Sequence, residues 1–316
     1  TGSVKSESMA ILPGLHYARR LSDNLVFGFN VASPFGLKTH YKSDSIARYQ
    51  STRSSIKTAD ISPSLAYRFG NGLSLGAGVD ALYAIAKLDS RVRTLFPAND
   101  FYTDNTAKNW GTGYHVGALI EFSEASRIGV NYRSKVKVNL KGNSLSGLDT
   151  VPNAGPAIQG VKSSFIFPET VTVSGYQDLN EQWALMSDVQ WTRWDRYQQL
   201  SLRFNDGSQV VYPQYYKNTI RVAVGATYQY DDCWKFKVGT AFDKTPSSDA
   251  LRRISVPDQN RTWGSVGAQY RFTKNFALDV GYAHLFFKKA IINDTPPGLI
   301  GPGGLNLAPA SQSLQG

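Results

Sequence analysis

Large apolar side chains recur at every second position through most of the chain. Leu25, Phe27, Phe29 and Val31 alternate with Val26, Gly28, Asn30 and Ala32. Leu73, Leu75, Ala77, Val79, Ala81 and Tyr83 alternate with Ser74, Gly76, Gly78, Asp80, Leu82 and Ala84. From Ile128 to Leu140 the pattern sets Ile128, Val130, Tyr132, Val136, Val138 and Leu140 against Gly129, Asn131, Arg133, Lys135, Lys137 and Asn139. The same period returns over 61–69, 220–230 and 276–283. Period two is the signature of strands with two unlike faces. The runs reach about ten residues, the length of a tilted strand that crosses a bilayer, whereas globular strands cluster near about five or six.

Turns divide the pattern into hairpins. Short polar connections at 21–25, 69–73, 122–126, 179–183, 230–234 and 272–276 are mostly bracketed by apolar or aromatic residues. Between them lie longer connections around 43–56, 91–109, 142–166, 205–216, 244–260 and 289–316. Short turns at one end and long loops at the other, with aromatic girdles, are the outer-membrane barrel pattern. Six hairpins predict about twelve antiparallel strands in one transmembrane β-barrel domain spanning 1–316, with the apolar face to lipid and the other lining the lumen. A soluble propeller or solenoid of similar period is the competing fold; no repeated blade signature supports it.

Composition agrees. In 316 residues the charged fraction is 18%, aromatics reach 12% and glycine numbers 28, a profile that disfavours helical enzymes and coiled coils. No apolar run approaches the roughly 20 residues of a membrane helix. The single Cys233 excludes a disulfide framework, and His16, His40, His115 and His284 have no ligand spacing, so no metal site is expected. Net charge is +10, which suits nucleic acid, anionic lipid or acidic ligands.

Several segments, in order and at hairpin spacing, resemble the FadL family of outer-membrane transporters for long-chain fatty acids and related hydrophobic compounds. They are Ser33-Pro34-Phe35-Gly36-Leu37, Leu65-Ala66-Tyr67-Arg68 with the strand to Tyr83-Ala84, Tyr132-Arg133-Ser134-Lys135-Val136-Lys137, Lys141-Gly142-Asn143, Phe167-Pro168-Glu169, Ala241-Phe242-Asp243 and Val256-Pro257-Asp258-Gln259-Asn260-Arg261. The resemblance runs from about Leu12 to Asp294. It implies a fourteen-stranded barrel with an N-terminal hatch in the lumen. The hatch and the two strands that would close the seam are expected to be absent from this sequence. An open edge in hydrocarbon is costly, so a partial sequence is expected. The family's head-group arginine falls at Ser90 and its partner lysine near Tyr212, with Lys217 close by; neither charge transfers.

Four groups of residues carry the candidate chemistry. At Ser33, Pro34, Phe35 and Gly36, Pro34 removes a ladder donor. This is a β-bulge or, as the resemblance implies, a kink that opens the wall for sideways exit of ligand into the membrane. Alternation puts Arg133, Lys135 and Lys137 inward with Arg221, and Lys217 nearby. These cations suit a ligand carboxylate, or else form a solvated wall or meet lipopolysaccharide phosphates. Leu95, Phe96, Phe101, Leu145, Leu148, Val151, Ile158 and Phe165 fall in two apolar connections that either pack together or, as the resemblance implies, form a capture groove. Asp243, Asp258 and Arg261 suit an ion-pair network pinning the 244–260 connection; a paired-carboxylate site is the sharper alternative. His115 is on a polar face with no evident partner. No nucleophile elbow or phosphate loop appears, so the chain is not expected to be an enzyme. No cofactor is expected. The expected partners are a fatty acid or other hydrophobic ligand and outer-membrane lipid or lipopolysaccharide, with no nucleic acid, in a monomer.

Overall fold

In the computed structural model, residues 6, 11–92, 100–148 and 157–292 are described, with the backbone of 299–300, 306–307 and 314–315. Leu95, Phe96 and Val151 lie outside the described residues. Among the described residues seventeen strands form one sheet. They are β1 (Leu15–Arg20), β2 (Leu25–Ala32), β3 (Gly36–His40), β4 (Arg53–Arg68), β5 (Leu73–Val92), β6 (Phe101–Glu121), β7 (Ser126–Arg133), β8 (Val136–Leu148) and β9 (Ala157–Phe167). They continue with β10 (Thr170–Asp178), β11 (Trp183–Thr192), β12 (Gln199–Phe204), β13 (Gln209–Pro213), β14 (Thr219–Gln229), β15 (Trp234–Asp243), β16 (Arg261–Thr273) and β17 (Phe276–Phe287). β2/β3, β7/β8, β9/β10, β11/β12 and β13/β14 are each one ribbon broken in two, which leaves the twelve ribbons that the alternation predicts. Every pairing is antiparallel to a chain neighbour, from β1 round to β17. Among the described residues no pairing joins β1 to β17.

The tight turns close for local reasons. Asn180 Oδ1 accepts the Gln182 and Trp183 amides, and Asp231 Oδ1 those of Cys233 and Trp234. Such Asx bonds stand in for ladder bonds at the reversal. Gly72 has φ +78°, and a Cβ there would meet Glu121 O at 2.6 Å. Aromatic pairs mark this end of the barrel: Trp183 with Tyr228 (4.8 Å between ring centroids), Trp234 with Tyr270 (4.7 Å) and Phe272 with Phe276 (5.4 Å).

The other end reaches further from the membrane than the sequence suggests. β4, β5 and β6 run 16, 20 and 21 residues, about twice a bilayer crossing. Much of what reads as loop at 91–109, 142–166 and 205–216 is strand. The sheet curls until its upper parts meet. Tyr41 donates to Ile254 O at 3.0 Å and Thr39 to Ser255 O at 3.1 Å, which joins the β3 end to the connection before β16. Inside the upper part, Leu82, Ala84, Ala107, Val136, Val138, Leu140, Phe165 and Phe167 form a buried core with Tyr197, Leu202 and Tyr216.

Candidate functional site

Five ribbons break at one level: at 33–35, 134–135, 168–169, 193–198 and 214–218. Above this level the interior is apolar and below it the inner face is charged, and at Ser33–Phe35 the ladder is interrupted. β2 pairs with β4 up to Ala32↔Asp60, and β3 resumes at Gly36↔Lys57, so three residues oppose two. Pro34 has no amide hydrogen. The Phe35 amide leaves the ladder and donates to Thr58 Oγ1 at 3.1 Å. On the other side, β1 stops at Leu15↔Val31. Among the described residues β3 has a strand on one edge only, with the His40 amide donating to Ser6 Oγ. The Phe35 ring turns inward and packs on Phe167 (4.9 Å) and Trp194 (6.2 Å).

Those rings belong to the upper chamber. Its cavity of about 60 Å³ is lined by Ile56, Leu88, Leu140, Phe165, Tyr197 and Tyr216 among others, with no ionised side chain. Phe165 packs, tilted, between Phe167 (4.6 Å) and Tyr197 (4.5 Å), and Tyr197 meets Tyr216 at 5.3 Å. Burial pushes the phenol pKa values of Tyr197 and Tyr216 well up, so both rings stay neutral. A larger cavity of about 570 Å³ lies elsewhere, beside the 41–52 connection, and is polar: His40, Lys42, Asp44, Arg53, Asp89, Arg91 and Asp104 line it.

Below the breaks the inner wall is charged. Arg133 meets Asp60 Oδ2 at 2.6 Å and Asp80 Oδ1 at 3.6 Å. Ser62 Oγ is 2.9 Å from Asp80 Oδ1 and bridges to Asp60. His115 Nδ1 lies 3.0 Å from Asp80 Oδ1, so this histidine does have a partner. Register brings the group together: Ser62 sits beside Asp80 across β4 and β5, and His115 pairs with Arg133. Asp60 and Asp80 escaped the sequence reading. Two isolated acids on a Gly/Ser face were their signal, since ionisable groups at membrane depth are functional by default.

The basic row does not hold as predicted. β7 pairs with β6 as His115↔Arg133, but β8 pairs with it as Lys108↔Lys141, one residue out of step. An extra residue at Ser134–Lys135 therefore reverses the faces. Arg133 points inward; Lys135 and Lys137 are exposed on the outer side, while Val136, Val138 and Leu140 fill the chamber rather than facing lipid. Gly111 makes room for them: a Cβ there would sit 2.8 Å from methyls of Val136 and Val138. Lys217 is exposed, with its amide bonded to Pro246 O.

The apolar set is likewise not one surface. β8 and β9 continue as a hairpin, so their side chains alternate. Leu145 and Ile158 pair on the outer face with Asp104, Phe101 pairs with Leu148 on the opposite face, and Phe165 is buried in the chamber.

On the far wall, Arg221, Asp243 and Arg261 form one cross-strand row. Arg261 binds Asp243 at 2.8 Å and approaches Asp258 at 3.8 Å. Asp258 also accepts from Thr245 at 2.6 Å, and its carbonyl accepts from Arg252. Arg221 makes no ion pair among the described residues; its guanidinium lies over Trp263 at 5.6 Å. Arg221 Nε, Arg261 Nε and Trp263 Nε1 are buried donors without an acceptor among the described residues. Trp263 is a further residue that the sequence reading missed.

Comparison with known proteins places this geometry. A family model described as "Outer membrane protein transport protein (OMPP1/FadL/TodX)" matches residues 2–311. The long-chain fatty acid transport protein of Shigella flexneri is 30% identical over 335 residues, covering 93% of this chain and 75% of the relative. A FadL homologue of Pseudomonas aeruginosa superposes with a TM-score of 0.83 at 22% identity, over 90% of this chain and 72% of that one. The toluene transporter TodX of Pseudomonas putida gives 0.75 at 17% identity, over 92% and 80%. At such identities the two structures speak for the barrel fold alone.

Proposed function

Because the chain belongs to the OMPP1/FadL/TodX family of outer membrane transport proteins, we propose that it carries long-chain fatty acids or similar hydrophobic compounds across the outer membrane of a Gram-negative bacterium. Ligand enters at the upper rim, passes the apolar chamber and leaves sideways at Ser33–Gly36, driven by its own partitioning into lipid. The observation that carries this reading is the ladder break at Ser33–Phe35, where the Phe35 ring touches the buried rings Phe167 and Trp194. Phe35 stands between the break and these buried rings, so its displacement is the first step of the sideways path.

An acidic head group fits the donors that lack acceptors, on Arg221, Arg261 and Trp263. Arg133 Nε also lacks an acceptor, but that guanidinium faces two buried carboxylates, Asp60 and Asp80, whereas Arg221 faces none in an ion pair among the described residues. A neutral aromatic cargo is the second reading, favoured by the uncharged chamber lining. At about 60 Å³ the chamber is smaller than the roughly 150 Å³ cavity that takes up benzene, so either cargo must move side chains.

The gate is tested by tying Ser33→Cys to Pro13→Cys, which the β1–β2 register would bring opposite each other if continued. Oxidation should abolish oleate uptake by cells carrying the protein, and reductant should restore it. Undiminished uptake with the disulfide formed and the barrel folded would refute lateral exit.

A further inference from the structure

On the outer side of the wall, one cross-strand row consists almost wholly of cations. Lys57 pairs with Ile85, Ile85 with Lys108, Lys108 with Lys141, Lys141 with Lys162, and Lys162 with Arg203. Lys57, Lys108, Lys141, Lys162 and Arg203 are all exposed; Lys137 on β8 and Lys135 just before it are exposed on the same face, below the row. None of them is in an ion pair among the described residues. Directly paired residues on adjacent strands stand about 5 Å apart, and like charges so placed destabilise a sheet. Here the contact repeats across β6, β8, β9 and β12 with no acid in the row. The nearest acids on this face, Asp89 and Asp104, lie further up the strands, and Asp89 is bound to Arg53. A row of this kind is unfavourable alone and favourable beneath closely spaced anions.

Its height selects the anion. Two residues below, the same face carries Tyr83, Trp110, Asn139 and Ser164, with the Tyr83 and Trp110 rings 5.0 Å apart. From Trp110 down to Ile120 the outer face of β6 is largely apolar and aromatic, including exposed Tyr114 and Val116. Ten residues of tilted strand span roughly the 25 Å apolar band of an outer-membrane barrel. Strands of such a barrel tilt by about 35–45°, so the row is inclined to the membrane; on β6, Lys108 stands just above Trp110, at head-group depth on the long-loop side. We propose that this row binds the phosphates of lipid A, the membrane anchor of lipopolysaccharide. The two phosphates, with fatty chains beneath them, fit neighbouring cations of the row above the Tyr83–Trp110 pair and the apolar face of β6.

The test uses the protein purified from outer membranes in detergent, with bound lipid counted by native mass spectrometry. The probes are bisphosphorylated lipid A, the same lipid with both phosphates removed, phosphatidylglycerol and inorganic phosphate. The variant is Lys108→Gln/Lys141→Gln/Lys162→Gln. Bisphosphorylated lipid A should bind the wild type at least tenfold more tightly than it binds the variant, and more tightly than the dephosphorylated lipid binds either. Rising salt should weaken it. Equal affinity for variant and wild type, or for lipid A with and without phosphates, would overturn the proposal. So would phosphatidylglycerol binding as tightly as lipid A, or inorganic phosphate displacing lipid A at equal concentration. Without lipid, the variant should melt no lower than wild type, because it has lost the repulsion. Should it fail to fold, Lys162→Gln alone is expected to weaken lipid A binding about threefold, and unchanged binding there counts against the row.

Discussion

Below the breaks, Asp60, Ser62, Asp80, His115 and Arg133 hold one another across four strands of the inner wall. Above them, Leu82, Val138, Leu140, Phe165 and Phe167 fill the same barrel with hydrocarbon and rings. One ribbon supplies both: Arg133 ends β7 in the charged lumen, and Val136 opens β8 in the greasy one. The change of chemistry needs no change in alternation, only one extra residue between them. A strand read with one parity throughout gives one lumen; a bulge at mid-height gives two. The lower lumen suits water and fixed charge, and the upper suits an apolar guest.

The sharpest way to break this contrast is at that ribbon. Arg133→Ala leaves Asp60 and Asp80 buried, at 1% and 3% exposure, without their cation. Breaking a buried pair in this way costs about 3–5 kcal/mol. Lys135→Ala, two residues on but on the outer face, should stay within about 0.5 kcal/mol. Unfolding of both variants by urea in detergent or lipid measures the difference. Equal losses would mean that the faces are not reversed at Ser134.

The upper lumen predicts a smaller loss of a different kind. Leu140 is 3% exposed and lines the chamber cavity. Leu140→Ala should cost about 2–3 kcal/mol and enlarge the cavity. Unlike the loss at Arg133, part of this one should return on addition of toluene, because an apolar guest can fill an apolar void. A melting temperature that toluene leaves unchanged would show that the enlarged chamber admits no guest.

How much of this could be read from the sequence depends on where glycine and proline mark the backbone. The ribbons and turns were legible because side-chain period and Asx turns are local. The break at Ser33–Phe35 was legible because Pro34 cannot serve a ladder. The break at Ser134–Lys135 carries no such mark, and it sent Lys135 and Lys137 to the wrong face together with Val136, Val138 and Leu140. Pro168 did mark the neighbouring ribbon, but the mark gains meaning only when Ser134 stands opposite it. Asp80 and His115 were visible as lone polar groups; that they touch is a matter of register across β5 and β6, which alternation alone does not set. For the same reason Leu145 and Phe165 read as one patch until the hairpin put them on opposite sides.

The smallest expected effect bears on the upper edge of the charged region, where the two lumens share a boundary. Among the described residues Trp263 Nε1 is a buried donor with no acceptor, beside Arg221 and Arg261, each with an Nε in the same state. An unsatisfied buried donor costs free energy, so Trp263→Phe should leave the folded barrel as stable as wild type or slightly more so. If the proposed head-group site is here, the same change removes one bond to a carboxylate and weakens oleate binding about tenfold. Oleyl alcohol brings no charge to the site and should lose little. Equal loss for acid and alcohol would make Trp263 a packing residue. No loss for either would move the head group away from this wall and leave the neutral cargo as the better account of the chamber.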